Sequence, residues 1–271
     1  MKRYRHYDKN KAIILSCFGS VIEQNKYLEL KKLVENSFED CDVFLSFSSR
    51  MVLKDLHKRN MSFKNLAQTL ADVDMLGYKN IIVSSINLFP TDEHQVVKKI
   101  VDGFKNFSLS SIRATNAILT KTKETSLFLA DLSNKITQKD KANLFVIHGC
   151  PTLEVNGLDS ITYTATFLEA ISTQNYTCSL EGAFPFYALK DNIIKNMKKD
   201  GIKEVQVVPM LLVSGNHYKK DMHEIKDELS EEFNSFIVDT QTKSSKFNLI
   251  ELEMIQDIII NNIKDEIIKL G

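Results

Sequence analysis

The sequence predicts an α/β protein made of two similar halves, each a parallel sheet sandwiched between helices. Three observations carry that prediction. Short β-branched or aromatic runs alternate with longer amphipathic stretches, as in βαβ units. The segment Gly77–His94 lines up without gaps on Gly201–Tyr218. The opening strand of each half matches as well, Ile13-Ile-Leu-Ser-Cys-Phe-Gly19 against Asn143-Leu-Phe-Val-Ile-His-Gly149.

The elements follow in order from these patterns. The basic start and the short apolar run Ala12–Phe18 briefly resemble a leader peptide. Ser16 interrupts the run, and Glu23 and Lys26 follow with no small-residue cleavage site, so it reads as a first strand. Further strands are expected at Asp42–Phe47, Asn80–Ile86, Asn143–Ile147, Thr177–Leu180 and Glu204–Met210. Helical spacing marks Ile22–Glu39, Phe63–Leu76, Glu93–Phe104, Ile161–Ser172 and Leu189–Lys199. In Asn248–Leu270, Leu249, Leu252, Ile255, Ile259, Ile263 and Ile267 fall on one helical face. Gly77 and Gly201 each stand between a helix end and a coming strand. The polar stretch Lys121–Lys141 is expected to be the connecting helix. It separates a first half, residues 1–120, from a second half, 142–271.

Composition narrows the function classes. The chain has 271 residues, 35 basic against 35 acidic, so it lacks the net basic charge of a general nucleic-acid or membrane-surface binder. With 43% hydrophobic residues it can bury a core, yet no apolar run approaches the ~18 residues of a membrane span. The four cysteines, Cys17, Cys41, Cys150 and Cys178, are far apart and form no C-x-x-C pair. Reduced thiols in a cytoplasmic protein are therefore expected. A homo-oligomer is compatible with this reading.

In open α/β sheets, ligands bind beyond the carboxyl ends of the strands, and two facing halves would form a cleft from those ends. His148 ends one strand of the second half, Glu181 ends the next, and His217 lies just past the third. The matching positions of the first half are approximately Phe18, Phe47 and Glu93. Two neutral imidazoles and a carboxylate suit a borderline divalent cation and leave positions open for water or substrate. A hydrogen-bonded loop histidine and a helix-start acid are the ordinary alternatives.

Several segments resemble one family in order along almost the whole chain. Leu212-Val-Ser-Gly-Asn-His-Tyr-Lys-Lys-Asp-Met222 is similar to L-V-A-G-D-H-A-x-N-D-M, the metal-site motif of the anaerobic (class II) sirohydrochlorin cobaltochelatases. Ser16-Cys-Phe-Gly-Ser20, Phe47-Ser-Ser-Arg-Met51 and Ser84-Ser-Ile-Asn-Leu-Phe-Pro90 resemble the family's S-F-G-T-S, F-T-S-x-x and Q-S-L-H-I-I segments. Val146-Ile-His-Gly149 looks like M-G-H-G, and Leu180-Glu-Gly-Ala-Phe-Pro185 like V-E-S-Y-P.

The resemblance implies two pseudo-symmetric three-layer αβα halves with a tetrapyrrole in the cleft between them. It implies a lyase that inserts Co²⁺ into sirohydrochlorin or a close relative, in oxygen-independent cobalamin synthesis. The metal is then a substrate, and no organic cofactor is required. The family's metal residues carry over onto His148, Glu181 and His217. His148 would hold the metal or accept a pyrrole proton, Glu181 would add negative charge, and His217 would be the second imidazole ligand. The polycarboxylate ring calls for cations, with Arg50, Lys54, Arg113, Lys219 and Lys220 as candidates. Phe18, Phe47 and Phe89 are candidates to pack on the macrocycle. His94, where relatives often have Tyr, is a candidate axial-type ligand.

The departures bear on substrate. Ile147 replaces the glycine before the histidine, and Asn216 replaces an aspartate beside His217. The loop Cys150–Gly157 is longer than in relatives, and Lys243–Asn248 replaces a glycine-rich segment. Three other functions therefore stay open at this point: a haem-type tetrapyrrole carrier, a chelatase for Fe²⁺ or Ni²⁺, and a zinc-dependent hydrolase.

Overall fold

Lys9–Cys17 forms the first strand, β1, whose Ala12 to Leu15 are apolar and wholly buried. The computed structural model describes residues 5–239 and 246–270, the side chains of Asn216 and His217 excepted. In it, β1 pairs in parallel with β2 (Cys41–Phe47) on one side and β3 (Tyr78–Ile86) on the other. A short strand, β4 (Ser111–Ala114), completes the order β2-β1-β3-β4.

Helices α1 (Gln24–Ser37), α2 (Arg50–Lys58), α3 (Leu66–Met75) and α4 (Asp92–Lys105) connect these strands. Asn65 starts α3 with a reciprocal cap, its side chain accepting from the Gln68 amide while Gln68 returns to the Asn65 amide. On one face of the sheet Ala12, Ile14, Ile81 and Val83 pack with Leu66, Leu70 and Val73 of α3 and Val97 and Val101 of α4. Ile13, Leu15 and Ile82 alternate to the other face, as strand geometry requires, and are equally buried.

The second unit repeats this plan. β5 (Lys141–Gly149), β6 (Asn175–Glu181), β7 (Glu204–Met210) and β8 (Asn234–Ile237) are all parallel, in the order β6-β5-β7-β8. That is the first sheet's order with each strand advanced by four, so the sequence repeat is a repeat of topology. The helices are α5 (Thr122–Ile136), α6 (Leu158–Ile171), α7 (Phe186–Lys199), the single turn α8 (Asn216–Lys219) and α9 (Asp221–Leu229).

The chain divides into two compact units, Met1–Thr120 with Glu253–Gly271, and Lys121–Leu252. This differs from the sequence-based boundaries at two places. Helix α5, expected as a connector, packs on α6 inside the second unit. The last helix, α10 (Glu253–Ile268), returns to the first unit, where it packs on β3 and α1 and buries Ile255, Ile259 and Ile263. Among the described residues no helix is long and apolar enough to cross a membrane.

Candidate metal centre

The end of β5 and the end of β6 are tied by backbone before any side chain acts. Gly149 pairs in register with Glu181, and both leave their strands through glycine in the left-handed region, Gly149 at φ 79° and Gly182 at φ 79°. A Cβ on Gly149 would stand 1.9 Å from the Glu181 carbonyl oxygen. A Cβ on Gly182 would stand 1.8 Å from that of Cys150. Only glycine permits this double crossing, which brings the two turns into contact.

Their side chains meet as a consequence. His148 Nδ1 lies 3.8 Å from Glu181 Oε1, and the side chains are 43% and 46% exposed, so a ligand can reach both. His148 Nδ1 is also 3.2 Å from the Gly149 carbonyl oxygen. A proton on Nδ1 is directed there, which fixes the tautomer with the basic lone pair on Nε2.

His217 lies in α8, beyond the end of β7, the neighbour of β5 on the side away from β6. The loop leading to α8 is anchored from within the same unit. The buried Ser214 gives its amide to Asn248 Oδ1 at 2.6 Å, and its hydroxyl is 3.2 Å from the Phe247 carbonyl oxygen. The Leu249 and Ile250 amides bond to the carbonyls of Leu211 and Leu212. Three neighbouring strand ends thus carry, in spatial order, Glu181, His148 and the helix turn with His217. The side chains of His217 and Asn216 lie outside the described residues, as does Lys243–Ser245 of the substituted segment. Among the described residues no three His, Cys, Asp or Glu form a metal-holding group.

The first unit is built differently at the same ends. Phe18, after β1, is 46% exposed and is the aromatic that a flat ligand can reach there. Phe47 and Phe89, the other two candidates to pack on a ring, are buried, the usual place for a strand-end aromatic. Phe47 has no exposed surface and stacks on Phe63 with ring centroids 4.5 Å apart, which makes it core. Glu93, the counterpart of His217, accepts a hydrogen bond of 3.1 Å from the Ser48 hydroxyl.

His94 is neither an open ligand nor a solvated helix-start residue. It is 3% exposed, and its Nδ1 lies 2.8 Å from Ser85 Oγ. Burial, with a contribution from the Lys98 charge, lowers its pKa to about 4.

The expected cations divide into two groups. Arg50, at the start of α2, and Lys54, Lys219 and Lys220 are exposed. Arg113 is not available in the same way, because it lies in β4 and its Nε donates to Glu266 Oε2 at 2.6 Å. Glu266 is buried and needs that countercharge. Sequence reading missed this partner because β4 is only four residues long and α10 was assigned to the other half. A cavity of about 510 Å³ in the second unit is lined by residues such as Thr166, Tyr176, Phe184 and Asn196, and His148 is not among them.

Comparison with known proteins agrees with this fold. SirB from Bacillus subtilis with Fe³⁺ superposes with a TM-score of 0.67 at 15% identity, over 94% of this chain and 95% of that one. The sirohydrochlorin chelatase SirB from Bacillus subtilis subspecies spizizenii, in complex with cobalt, gives a TM-score of 0.64 at 12% identity, over 94% of each chain. The two-unit fold is therefore that of the chelatases. The family model described as cobalt chelatase (CbiK) matches residues 11–268, and the chain belongs to that family. A curated relative, the sirohydrochlorin cobaltochelatase of Salmonella typhimurium (strain LT2), is 20% identical over 217 residues, 78% of this chain and 80% of its own.

Proposed function

We propose that this chelatase inserts Co²⁺ into sirohydrochlorin or a closely related tetrapyrrole, with the second unit holding the metal at the ends of β5, β6 and β7. The observation that carries the proposal is the His148–Glu181 pair, two donors of suitable chemistry within 3.8 Å at open strand ends of a cobalt chelatase family member. The curated relative's name supplies the substrate.

Metallation exchanges two pyrrole N–H protons for one M²⁺, so the site must deliver a cation and dispose of two protons. His148 Nε2 offers a neutral lone pair that either ligates Co²⁺ or accepts a pyrrole proton. Glu181 supplies the negative charge that draws a hydrated dication to the site and keeps the imidazole oriented. His217 is the second imidazole ligand, giving way to a pyrrole nitrogen as the metal transfers. Lys219 and Lys220 of the second unit and Arg50, Lys54 and Phe18 of the first are exposed candidates for contact with the ring, and Asn216, beside His217, is a further candidate. Co²⁺ is a substrate in this scheme.

The test is anaerobic absorbance spectroscopy of metal-free sirohydrochlorin with Co²⁺, with and without the protein. Many turnovers per chain to the metallated spectrum are expected. One equivalent of bound ring with no rate above the blank would contradict the proposal.

A further inference from the structure

Two residues from Glu181 along β6, Ser179 makes more contacts to the following turn than a strand residue needs. It has no exposed surface. Its amide donates to the Phe184 carbonyl oxygen at 3.1 Å, forming an isolated bridge with Pro185. Its hydroxyl oxygen is 2.5 Å from the Ala183 carbonyl oxygen and 2.9 Å from that of Glu181. One serine thereby engages three of the four carbonyls between Glu181 and Phe184.

That turn does not hold itself. Gly182 has φ 79°, and Phe184 has φ 48°, a conformation disfavoured for a residue with a Cβ. Strained backbone of this kind persists when its surroundings over-determine it. The Glu181 carbonyl gripped by Ser179 is the atom against which Gly149 packs, and the Ser179 Cβ is 3.1 Å from where a Gly149 Cβ would stand. Ser179 therefore lies under both turns, one carrying His148 and the other Glu181.

We infer that Ser179 is a positioning residue for metal capture, fixing the Glu181 turn against Gly149 so that the imidazole and carboxylate converge. The inference rests on the reading of His148 and Glu181 as metal donors. Ser179 touches neither metal nor ring in this role. The single hydroxyl proton is within reach of both the Ala183 and the Glu181 carbonyls, which suits a clamp on a turn.

The experiment is a titration of the full-length, metal-free protein with Co²⁺ alone, following the visible d–d bands of the bound ion. Wild type, Ser179→Ala and His148→Ala are compared, with circular dichroism as the folding control. Folded Ser179→Ala is expected to bind Co²⁺ ten- to a hundredfold more weakly, with altered band positions, the effect typical of losing a partner that orients a ligand. If Ser179→Ala does not fold, the comparison moves to the Phe184→Gly background, where part of the strain is relieved, and weaker Co²⁺ binding than in Phe184→Gly alone is expected there. Wild-type affinity and bands in the folded serine variant would overturn the inference while leaving the metal site standing. Wild-type affinity in His148→Ala would overturn the metal reading itself, and the role of Ser179 with it.

Discussion

Asn87 Nδ2 donates to Ser85 Oγ at 2.9 Å, and Ser85 Oγ lies 2.8 Å from the buried His94 Nδ1. Burial and Lys98 then hold the ring neutral, with a pKa of about 4 against an ordinary 6.5. Between those two pH values the unfolded chain binds a proton at this position and the folded chain does not. Stability from this residue is thus complete above pH 6.5 and is lost as pH falls toward 4, by roughly 3 kcal/mol in all. His94→Gln should flatten that part of the pH dependence. Thermal unfolding from pH 7 to pH 4 checks it, and parallel curves for the two proteins would refute the assignment. The placement of His148 and Glu181 at strand ends, and of His217 just past β7, was legible in the sequence. The burial of His94 was not legible, because helix-start positions look alike whether or not a neighbouring element covers them.

At the scale of elements, a polar ladder runs through the second sheet. Asn143 of β5 is in register with Asn175 of β6 and Gln206 of β7, and all three are buried. Asn143 Nδ2 donates to Asn175 Oδ1 at 2.8 Å and to Thr137 Oγ1 at 2.9 Å, and its Oδ1 accepts from Gln206 Nε2. Gln206 also donates to the Ile136 carbonyl at the end of α5, at 2.7 Å, and Asn175 to Ser133 Oγ of α5, at 2.8 Å. The ladder fixes strand register and docks α5 on the second unit. Asn143→Leu takes away the donor to the buried Asn175 Oδ1 and one of the two acceptors of Gln206 Nε2, and should cost about 2–4 kcal/mol. Urea unfolding measures it, and a change under ~0.5 kcal/mol would show the ladder to be incidental. The six apolar strands were legible from their cores, but their ends were not. β1 runs back to Lys9 because pairing with Tyr78 and Asn80 holds polar residues in the ladder. The four-residue strands β4 and β8 are too short to show a period, and their place is set by parallel pairing with β3 and β7.

At the scale of the whole molecule, the chain builds one unit, then the other, and sends its last helix back to the first. α10 brings Ile255, Ile259 and Ile263 to that unit's core and Glu266 to Arg113. Burial pushes the Glu266 carboxyl up, but hydrogen bonds from Lys269 and Arg113 outweigh it and hold its pKa below the ordinary value. Ile263→Ala should cost about 2–5 kcal/mol, and the loss should fall on the first unit. Hydrogen exchange is expected to quicken in β1 and β3 while β5 and β7 keep their protection. Equal quickening in both sheets would contradict that assignment. The repeat made two similar units legible. A helix's periodicity shows that it has an apolar face but not which sheet that face covers, so the ownership of α10 was not.

The same duplication leaves one unit with imidazole and carboxylate at its strand ends and the other with Phe18 and a hydrogen-bonded Glu93. On the proposed function, metal delivery belongs to the second unit. The most direct test is the initial rate of anaerobic Co²⁺ insertion into sirohydrochlorin by wild type and by folded His148→Ala. A fall on the order of a hundredfold or more is predicted. A rate within twofold of wild type would contradict the central claim.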